Sequence, residues 1–172
     1  CVDEKLGHAA ASYTGIAFRS VDIKEFSKKE VEYMEKHLVI LSALYGVLTP
    51  LTGIKPYRLD MTMSISKKNS LYEFWQESIN EYFEEEEMII NLASKEFSKM
   101  IKKPLINIEF FEEKNEKLVQ ISTNSKKARG EMVKCIVKTK AEKLDDIRKI
   151  SFDGYKFNKK LSKENILVFV KE

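Results

Sequence analysis

The sequence is poor in the residues that most often mark a metal centre, a disulfide framework or a membrane span. It has two cysteines and two histidines, and neither pair has the spacing of a zinc site or a CxxC motif. No uncharged apolar run approaches the roughly 20 residues that a membrane helix requires. We therefore expect no bound metal, no cofactor and no membrane association. A reducing cytoplasm is the expected location.

Glycine and proline are also scarce, and they cluster. Two of the three prolines and two of the six glycines lie within residues 45–58. We expect a long, shaped loop there, after a buried strand over residues 39–44. A loop at the carboxyl end of a strand in an α/β sheet is a common place for ligand binding. A packed connection without a ligand is an equally weighted alternative.

Two capping boxes mark the starts of helices. Ser27 with Glu30, and Ser70 with Glu73, have the required spacing, and apolar residues follow each pair at helical intervals. After Ser70, the stripe is rich in aromatic residues and predicts a core-facing surface made of Leu71, Phe74, Trp75, Ile79, Tyr82 and Phe83. The four glutamates that follow, residues 84–87, are typical of a solvated face.

The strands follow from apolar runs and from alternation. Residues 39–44 and 88–93 are short, nearly unbroken apolar runs, which are typical of strands buried in a parallel sheet. Alternation over residues 106–110 and a return through residues 118–121 predict a β-hairpin, and residues 155–157 and 166–170 predict two final strands. The chain, residues 1–172, therefore reads as one α/β domain, with mixed α+β as the alternative. We expect a central, mostly parallel sheet flanked by helices.

Residues 125–140 carry six basic side chains and one acidic side chain, an excess larger than the net charge of +3 for the whole chain. On a helix predicted to begin at about Ser125, Lys127, Lys134 and Lys138 form an outward stripe. A solvated face is the favoured interpretation of such lysines, and a surface for nucleic-acid phosphates is the alternative.

Arg129 interrupts this pattern, because the same helix places it on the side that faces the protein. A buried arginine needs a carboxylate, a carbonyl or a bound anion. Asp60 is one candidate partner, and a phosphate is another. The adjacent Gly130 costs about 1 kcal/mol in a helix interior relative to alanine, which predicts a close approach of a neighbouring element, such as a strand, near the first turn.

A second candidate for anion binding is the junction between the strand at residues 88–93 and a helix predicted to run through Met100. Asn91 and Ser94 lie at this junction, and Ser94 is the expected N-cap. The exposed N–H groups of a helix start can hold a phosphate. A capped helix without a ligand is the commoner outcome.

Several separated segments resemble the YaaA family of bacterial peroxide-stress proteins. They are Leu41-Ser42-Ala43-Leu44-Tyr45-Gly46-Val47-Leu48 with Pro50-Leu51, Pro56-Tyr57-Arg58-Leu59-Asp60-Met61, Leu71-Tyr72 with Phe74-Trp75, Asn91-Leu92-Ala93-Ser94 with Phe97, and Ser125-Lys126-Lys127-Ala128-Arg129-Gly130. Tyr13-Thr14-Gly15 and Gly154-Tyr155 extend the likeness. The chain starts at Cys1 and lacks a counterpart of the family's Ser-Pro-Ala-Lys-type motif, so we expect it to correspond to the C-terminal two-thirds or so of a longer protein.

The resemblance implies a cytosolic protein that protects against hydrogen peroxide, is associated with limiting free iron, and binds DNA through a positively charged cleft. It implies no settled catalytic activity, and we identify no catalytic constellation.

Two hypotheses follow. The first is a binding protein whose basic cleft holds nucleic-acid phosphates. The second is an enzyme acting on a small phosphate-bearing or nucleotide ligand, which requires a pocket. The candidate phosphate-binding residues of the two hypotheses together are Tyr57, Arg58, Asn91, Ser94, Lys126, Lys127, Arg129, Gly130 and Lys134. Direct peroxide chemistry at Cys135 is the least favoured alternative, because a reactive thiolate requires exposure.

Overall fold

The computed structural model describes residues 6–63 and 70–171. Its α-helices are α1 (Ala9–Ser12), α2 (Ile16–Val21), α3 (Lys28–His37), α4 (Leu71–Tyr82), α5 (Lys95–Ser98), α6 (Ser122–Thr139) and α7 (Leu144–Arg148), with a 3₁₀ turn at Ile23–Glu25. Its strands are β1 (Gly7–His8), β2 (Ile40–Ser42), β3 (Gly46–Leu48), β4 (Gly53–Ile54), β5 (Ile90–Asn91), β6 (Ile106–Lys114), β7 (Lys117–Val119), β8 (Ser151–Phe152), β9 (Tyr155–Phe157) and β10 (Ile166–Lys171).

The main sheet has six strands and is mixed. Its order is β5-β6-β10-β9-β8, with β7 paired to β6 as a hairpin. The pairs β5–β6 and β6–β10 are parallel, whereas β9 and β8 continue the sheet in antiparallel fashion. The α/β class, the hairpin and the two C-terminal strands are confirmed. None of the described helices is both long and apolar enough to cross a membrane.

Helix α6 is the central element of the molecule, because it packs on two sides. Ala128 and Met132 enter the core between α6 and the sheet, where Phe110 and Phe169 are fully buried. Val137 enters a second core that the helices α1 and α3 share with the β2–β3 hairpin. The helix begins at Ser122, three residues before the predicted start.

The apolar run at residues 39–44 does not form a parallel strand. Within it, β2 pairs antiparallel with β3, so the predicted long loop at residues 45–58 contains two strands, β3 and β4. Gly46 permits the tight turn, since its φ is +72°. A side chain there would also meet Trp75, whose Cζ3 lies 2.6 Å from the position of an added Cβ. Because this hairpin is covered on both faces, its sequence matches that of a buried parallel strand.

Both capping boxes are confirmed, at Ser27 before α3 and at Ser70 before α4. The aromatic stripe of α4 is only partly buried, since Phe74 is 57% exposed and Tyr82 is 46% exposed. Phe74 lies at the edge of the stripe, and Tyr82 lies in the last turn. Trp75 is structural, as its indole N–H donates to the carbonyl of Ala43 at 2.8 Å.

The second apolar run, residues 88–93, forms a strand of two residues, β5, which is parallel to β6 as predicted. The helix that follows is also shorter than predicted. It ends at Ser98 rather than at Met100, and Ser94 stands at its N-cap position without a side-chain cap bond. The strand-to-helix junction therefore exists, but its helix is a single turn.

Candidate phosphate-binding surface

The nine residues that the sequence singled out lie in three parts of the fold. Helix α6 carries five of them, the segment after β4 carries two, and the end of β5 with its following turn carries two. No hydrogen bond or ion pair within residues 6–63 and 70–171 joins one of these three groups to another. The members are Lys126, Lys127, Arg129, Gly130 and Lys134 on α6, then Tyr57 and Arg58, then Asn91 and Ser94.

Arg129 is half-buried, and burial lowers the pKa of its guanidinium. No carboxylate in the described part of the chain lies within 4.0 Å of it. Asp60, one of the two candidate partners, does not pair with Arg129: its carboxylate is exposed and accepts the backbone N–H of Thr62 at 3.0 Å together with the Thr62 hydroxyl. Those hydrogen bonds, together with the charge of Arg58, lower the pKa of Asp60.

The basic run of α6 presents its charges on two sides. Lys126 and Arg129 are three residues apart and share a side, whereas Lys127 and Arg129 are separated by about 200° around the helix. Lys126 is exposed and makes no ion pair within the described residues. Lys127 is exposed and lies 3.7 Å from Asp153. The half-buried charge of Arg129 therefore borders an exposed cation, Lys126, on one side of the helix.

The outward lysine stripe is not the free basic face that the sequence predicted. Lys134 hydrogen-bonds to Glu25 in the 3₁₀ turn, and its side chain is only 19% exposed. Lys138 lies 3.7 Å from the same carboxylate. The hydrogen bond from Lys134 lowers the pKa of Glu25, and the same bond raises the pKa of Lys134. Lys134 thus joins two elements of the fold.

Gly130 fulfils the prediction of a close approach, but the neighbour is a helix and the position is mid-helix. A Cβ at Gly130 would lie 2.0 Å from the carbonyl oxygen of Ala17 and 2.7 Å from Cβ of Ser20, both in α2. The earlier start of α6 moves Gly130 from the first turn to the third. Its role is to let α2 and α6 pack at short distance.

The hydroxyl of Tyr57 belongs to an internal chain of hydroxyl groups. It hydrogen-bonds with the hydroxyl of Tyr13 at 2.8 Å and with that of Ser42 at 2.6 Å, and Ser42 also accepts the N–H of Tyr45. Burial raises the pKa of Tyr13. Sequence reasoning singled out neither Tyr13 nor Ser42 as a functional residue. Their sequence separations, 44 and 15 residues from Tyr57, gave no local signal.

Asn91 is likewise occupied within the fold. Its amide nitrogen donates to Asn107 at 2.7 Å, and its amide oxygen accepts the N–H of Ala93 at 3.0 Å. Both strands that bear these asparagines belong to the parallel part of the sheet. Asn91 therefore ties β5 to β6. Arg58, by contrast, is exposed, with its charge near Asp60.

Two open cavities, of about 380 and 390 Å³, lie away from these residues. Neither is lined by a predicted site residue. The first is lined by Lys29, Glu32, Tyr33, Lys36, His37, Lys140 and Glu142, and the second by Gln76, Glu77, Asn80, Glu81, Glu84 and Lys102. Across the described ranges, no group of three or more His, Cys, Asp or Glu side chains is placed to hold a metal ion.

A family model described as peroxide stress protein YaaA matches residues 2–161. The chain belongs to the YaaA family. It is 42% identical to UPF0246 protein FN1762 of Fusobacterium nucleatum, over 95% of this chain and 68% of that protein. It is 40% identical to UPF0246 protein A1I_02510 of Rickettsia bellii, over 95% of this chain and 70% of that protein. A UPF0246 protein of Ligilactobacillus salivarius is 37% identical, over 99% of this chain and 72% of that protein.

Membership of the YaaA family supports a role in peroxide stress. The segments that carried the resemblance take up defined places in the fold. They form the β2–β3 hairpin, the stretch around Tyr57, the start of α4, the end of β5 and the first half of α6.

Proposed function

We propose that this YaaA-family protein protects a bacterial cell against peroxide by binding nucleic acid in the cytoplasm, through phosphate contacts made by Arg129, Lys126 and Arg58. The observation that carries the proposal is the state of Arg129. Its guanidinium is half-buried, burial lowers its pKa, and it has no carboxylate partner among the described residues. A phosphate would supply the missing counter-charge and two acceptor oxygens.

The chemistry of the partner follows from that of the guanidinium. Its planar donors match two phosphate oxygens at once, and such charge-assisted bonds are about twice as strong as neutral ones. The exposed Lys126, on the same side of α6, and the exposed Arg58 add attraction for a polyanion without reading its sequence. We therefore expect binding to nucleic acid that depends on salt more than on base sequence.

Protection has two linked parts in this proposal. Peroxide becomes most damaging to DNA when it reacts with free ferrous iron, which releases hydroxyl radicals. We propose that the protein is associated both with DNA and with limiting free intracellular iron. The iron part is tested by measuring chelatable iron in cells that lack the protein and in cells that carry it. Equal iron levels in both would remove this part and leave the binding part standing.

The binding part is tested by titrating a short DNA duplex with the full chain at several salt concentrations. We expect the affinity to fall steeply between about 50 and 200 mM salt, because counterions are released at each phosphate contact. Each contact adds about −0.9 to the slope of log affinity against log salt concentration. Lys126→Ala and Arg129→Gln should each weaken binding at low salt. Each should also reduce the magnitude of the slope of log affinity against log salt concentration by about 0.9, the value for one phosphate contact.

The matched control is Lys160→Gln, because Lys160 is exposed, lies in the turn before β10 and makes no ion pair within the described residues. It removes one positive charge and should leave the slope unchanged. Circular dichroism establishes that each variant is folded. A flat salt response of the unsubstituted chain, or equal effects of Arg129→Gln and Lys160→Gln, would refute the proposed surface.

A further inference from the structure

The other side of the α6 start holds a cluster that the proposed function has not used. Lys127 on α6 and Lys171 at the end of β10 both lie near one oxygen, Oδ2 of Asp153, at 3.7 Å and 3.4 Å respectively. Asp153 lies in the turn between β8 and β9. Three elements that are distant in sequence thus bring two ammonium groups to a single anionic oxygen.

The turn holds this arrangement in place. Asp153 and Gly154 have φ values of +46° and +83°, as expected for an Asp-Gly turn that closes a two-residue hairpin. The stem of Lys171 crosses the turn, and its Cγ lies 3.3 Å from the position of an added Cβ on Gly154. Its ammonium group lies 5.7 Å from the centre of the Tyr155 ring. Lys171 is therefore positioned by the hairpin as well as by its own strand.

The Asp153 carboxylate is weakly held. It is 52% exposed, and both of its ammonium contacts are longer than a hydrogen bond. Exposed ion pairs of this kind contribute little and are screened by salt. The contrast with Glu25 is informative, because Glu25 hydrogen-bonds to Lys134, whose side chain is mostly buried. A polyanion could displace Asp153 from two long contacts, whereas displacing Glu25 would break its hydrogen bond to Lys134.

We propose that Asp153 stands where a nucleic-acid phosphate binds, that Lys127 and Lys171 are further phosphate-binding residues, and that Asp153 limits affinity by competing for them. This inference rests on the proposed function and extends its surface from α6 to the hairpin and β10. An anion that replaced the carboxylate would contact both ammonium groups. The neighbouring acid, Glu112, does not take this place, because it accepts hydrogen bonds from Tyr155 and Asn124.

The test is the variant Asp153→Asn in the full chain, with the same duplex and salt series. Asn-Gly suits this turn as well as Asp-Gly does, so the hairpin is retained. We expect the duplex to bind roughly threefold to tenfold more tightly, as one or two weak ion pairs are released, and the salt slope to steepen by about one contact. Lys171→Ala should weaken binding.

The matched control is Glu164→Gln, because Glu164 is exposed and makes no ion pair within the described residues. It removes the same charge and should leave the affinity nearly unchanged. The combined variant Asp153→Asn with Lys127→Ala and Lys171→Ala should show no gain over the two lysine substitutions alone. Thermal unfolding establishes that all variants keep the fold.

The outcomes separate the inference from the proposed function. If the unsubstituted chain binds with a steep salt slope but Asp153→Asn behaves like Glu164→Gln, the inference is overturned and the proposed function stands. A gain that persists without Lys127 and Lys171 also overturns it, since the effect would then be long-range charge alone. If neither the unsubstituted chain nor any variant binds in a salt-dependent manner, the proposed function fails and the inference falls with it.

Discussion

Two basic residues on α6, Arg129 and Lys134, have opposite environments. Lys134 hydrogen-bonds to Glu25, whereas Arg129 has lost part of its hydration without gaining a carboxylate among the described residues. A charge in the first situation helps to hold the fold together. A charge in the second costs stability until an anion arrives, which is the pattern that binding residues show when function and stability conflict.

This contrast predicts that Arg129→Met stabilises the free protein. Methionine fills a similar volume and removes a partly desolvated charge, so we expect the free energy of unfolding to rise by about 1 kcal/mol, a value reduced for the exposed part of the side chain. Urea denaturation measures it. The same variant should bind DNA more weakly.

Lys134→Met is the matched control on the same helix. It leaves Glu25 without its hydrogen-bond donor and should lower the free energy of unfolding. If Arg129→Met destabilised the protein as much as Lys134→Met does, Arg129 would have to be a structural residue, and its place in the proposed surface would be lost.

Gly130 is the second residue whose substitution has a defined consequence. In Gly130→Ala the new methyl group would lie 2.0 Å from a backbone oxygen of α2, so α2 must move away from α6. Overpacking of this kind costs about 1 to 3 kcal/mol, more than the gain in helix propensity from glycine to alanine. Thermal unfolding should show a lower Tm.

Gly15→Ala is the comparison for this substitution. Gly15 is at the N-cap of α2 with φ of −60°, and an added Cβ would meet only the Phe18 ring, at 3.9 Å. We expect a much smaller effect there. Equal losses of stability in the two variants would contradict the close helix packing described for Gly130.

At the scale of elements, the 3₁₀ turn at Ile23–Glu25 is tied to α6 by charge. The hydrogen bond from Lys134 lowers the pKa of Glu25. A carboxylate with a lowered folded-state pKa contributes stability above its unfolded pKa, about 4.3, and this contribution is lost as pH falls through the folded-state value. At neutral pH the contribution is fully present.

We therefore predict that Glu25→Gln lowers stability at pH 7, and that the difference from the unsubstituted chain shrinks as pH falls below the unfolded pKa of about 4.3 and is lost below the lowered folded-state pKa. Denaturant unfolding across this pH range measures the difference, and added salt should reduce it. Glu164→Gln serves as the control, since that exposed carboxylate has no cation partner in the described ranges. A difference that stayed constant down to pH 3 would show that Glu25 acts through something other than its charge.

The helices were easier to predict from the sequence than the strands, for a physical reason. The capping boxes at Ser27 and Ser70 are local hydrogen-bond patterns, so four neighbouring residues suffice to specify each start. The apolar run at residues 39–44 specifies burial but not the strand's partner, and the partner turned out to be β3 in an antiparallel hairpin. A local sequence pattern indicates burial and the type of secondary structure, whereas the pairing of strands depends on contacts between distant parts of the chain.

For the candidate site, the sequence likewise predicted burial but not the long-range partners of the side chains. Helical periodicity alone placed Arg129 on an inward side, and the structure confirms that it is half-buried. The same reasoning failed for Lys134, because its partner Glu25 lies over a hundred residues earlier in the chain. It also missed Lys171, which is linked to Lys127 only because both ammonium groups lie near the Asp153 carboxylate in the hairpin turn. Long-range ion pairs leave no trace in local sequence.

At the scale of the whole molecule, the middle of α6 is enclosed between the sheet and the helices α2 and α3, whereas residues 122–124, 126–127 and 138–139 face the solvent. The half-buried thiol of Cys135 lies on this helix, packed against the core that α6 shares with the sheet. Burial raises the pKa of the Cys135 thiol, which reduces the fraction present as the reactive thiolate at neutral pH. The basic surface, by contrast, is accessible from solvent at the start of the helix.

This arrangement predicts that protection against peroxide depends on the surface and not on the thiol. Cys135→Ala should restore the survival of a bacterial strain that lacks its own YaaA-family protein as well as the unsubstituted chain does, whereas Lys126→Ala with Arg129→Gln should restore it poorly. In a Cys1→Ser background, the purified chain should react slowly with a thiol reagent until denaturant unfolds it, because only then does Cys135 become fully exposed and lose the pKa increase caused by burial. Loss of protection in a folded Cys135→Ala protein, with protection retained in the basic-surface variant, would reverse the assignment and place the peroxide chemistry on the cysteine.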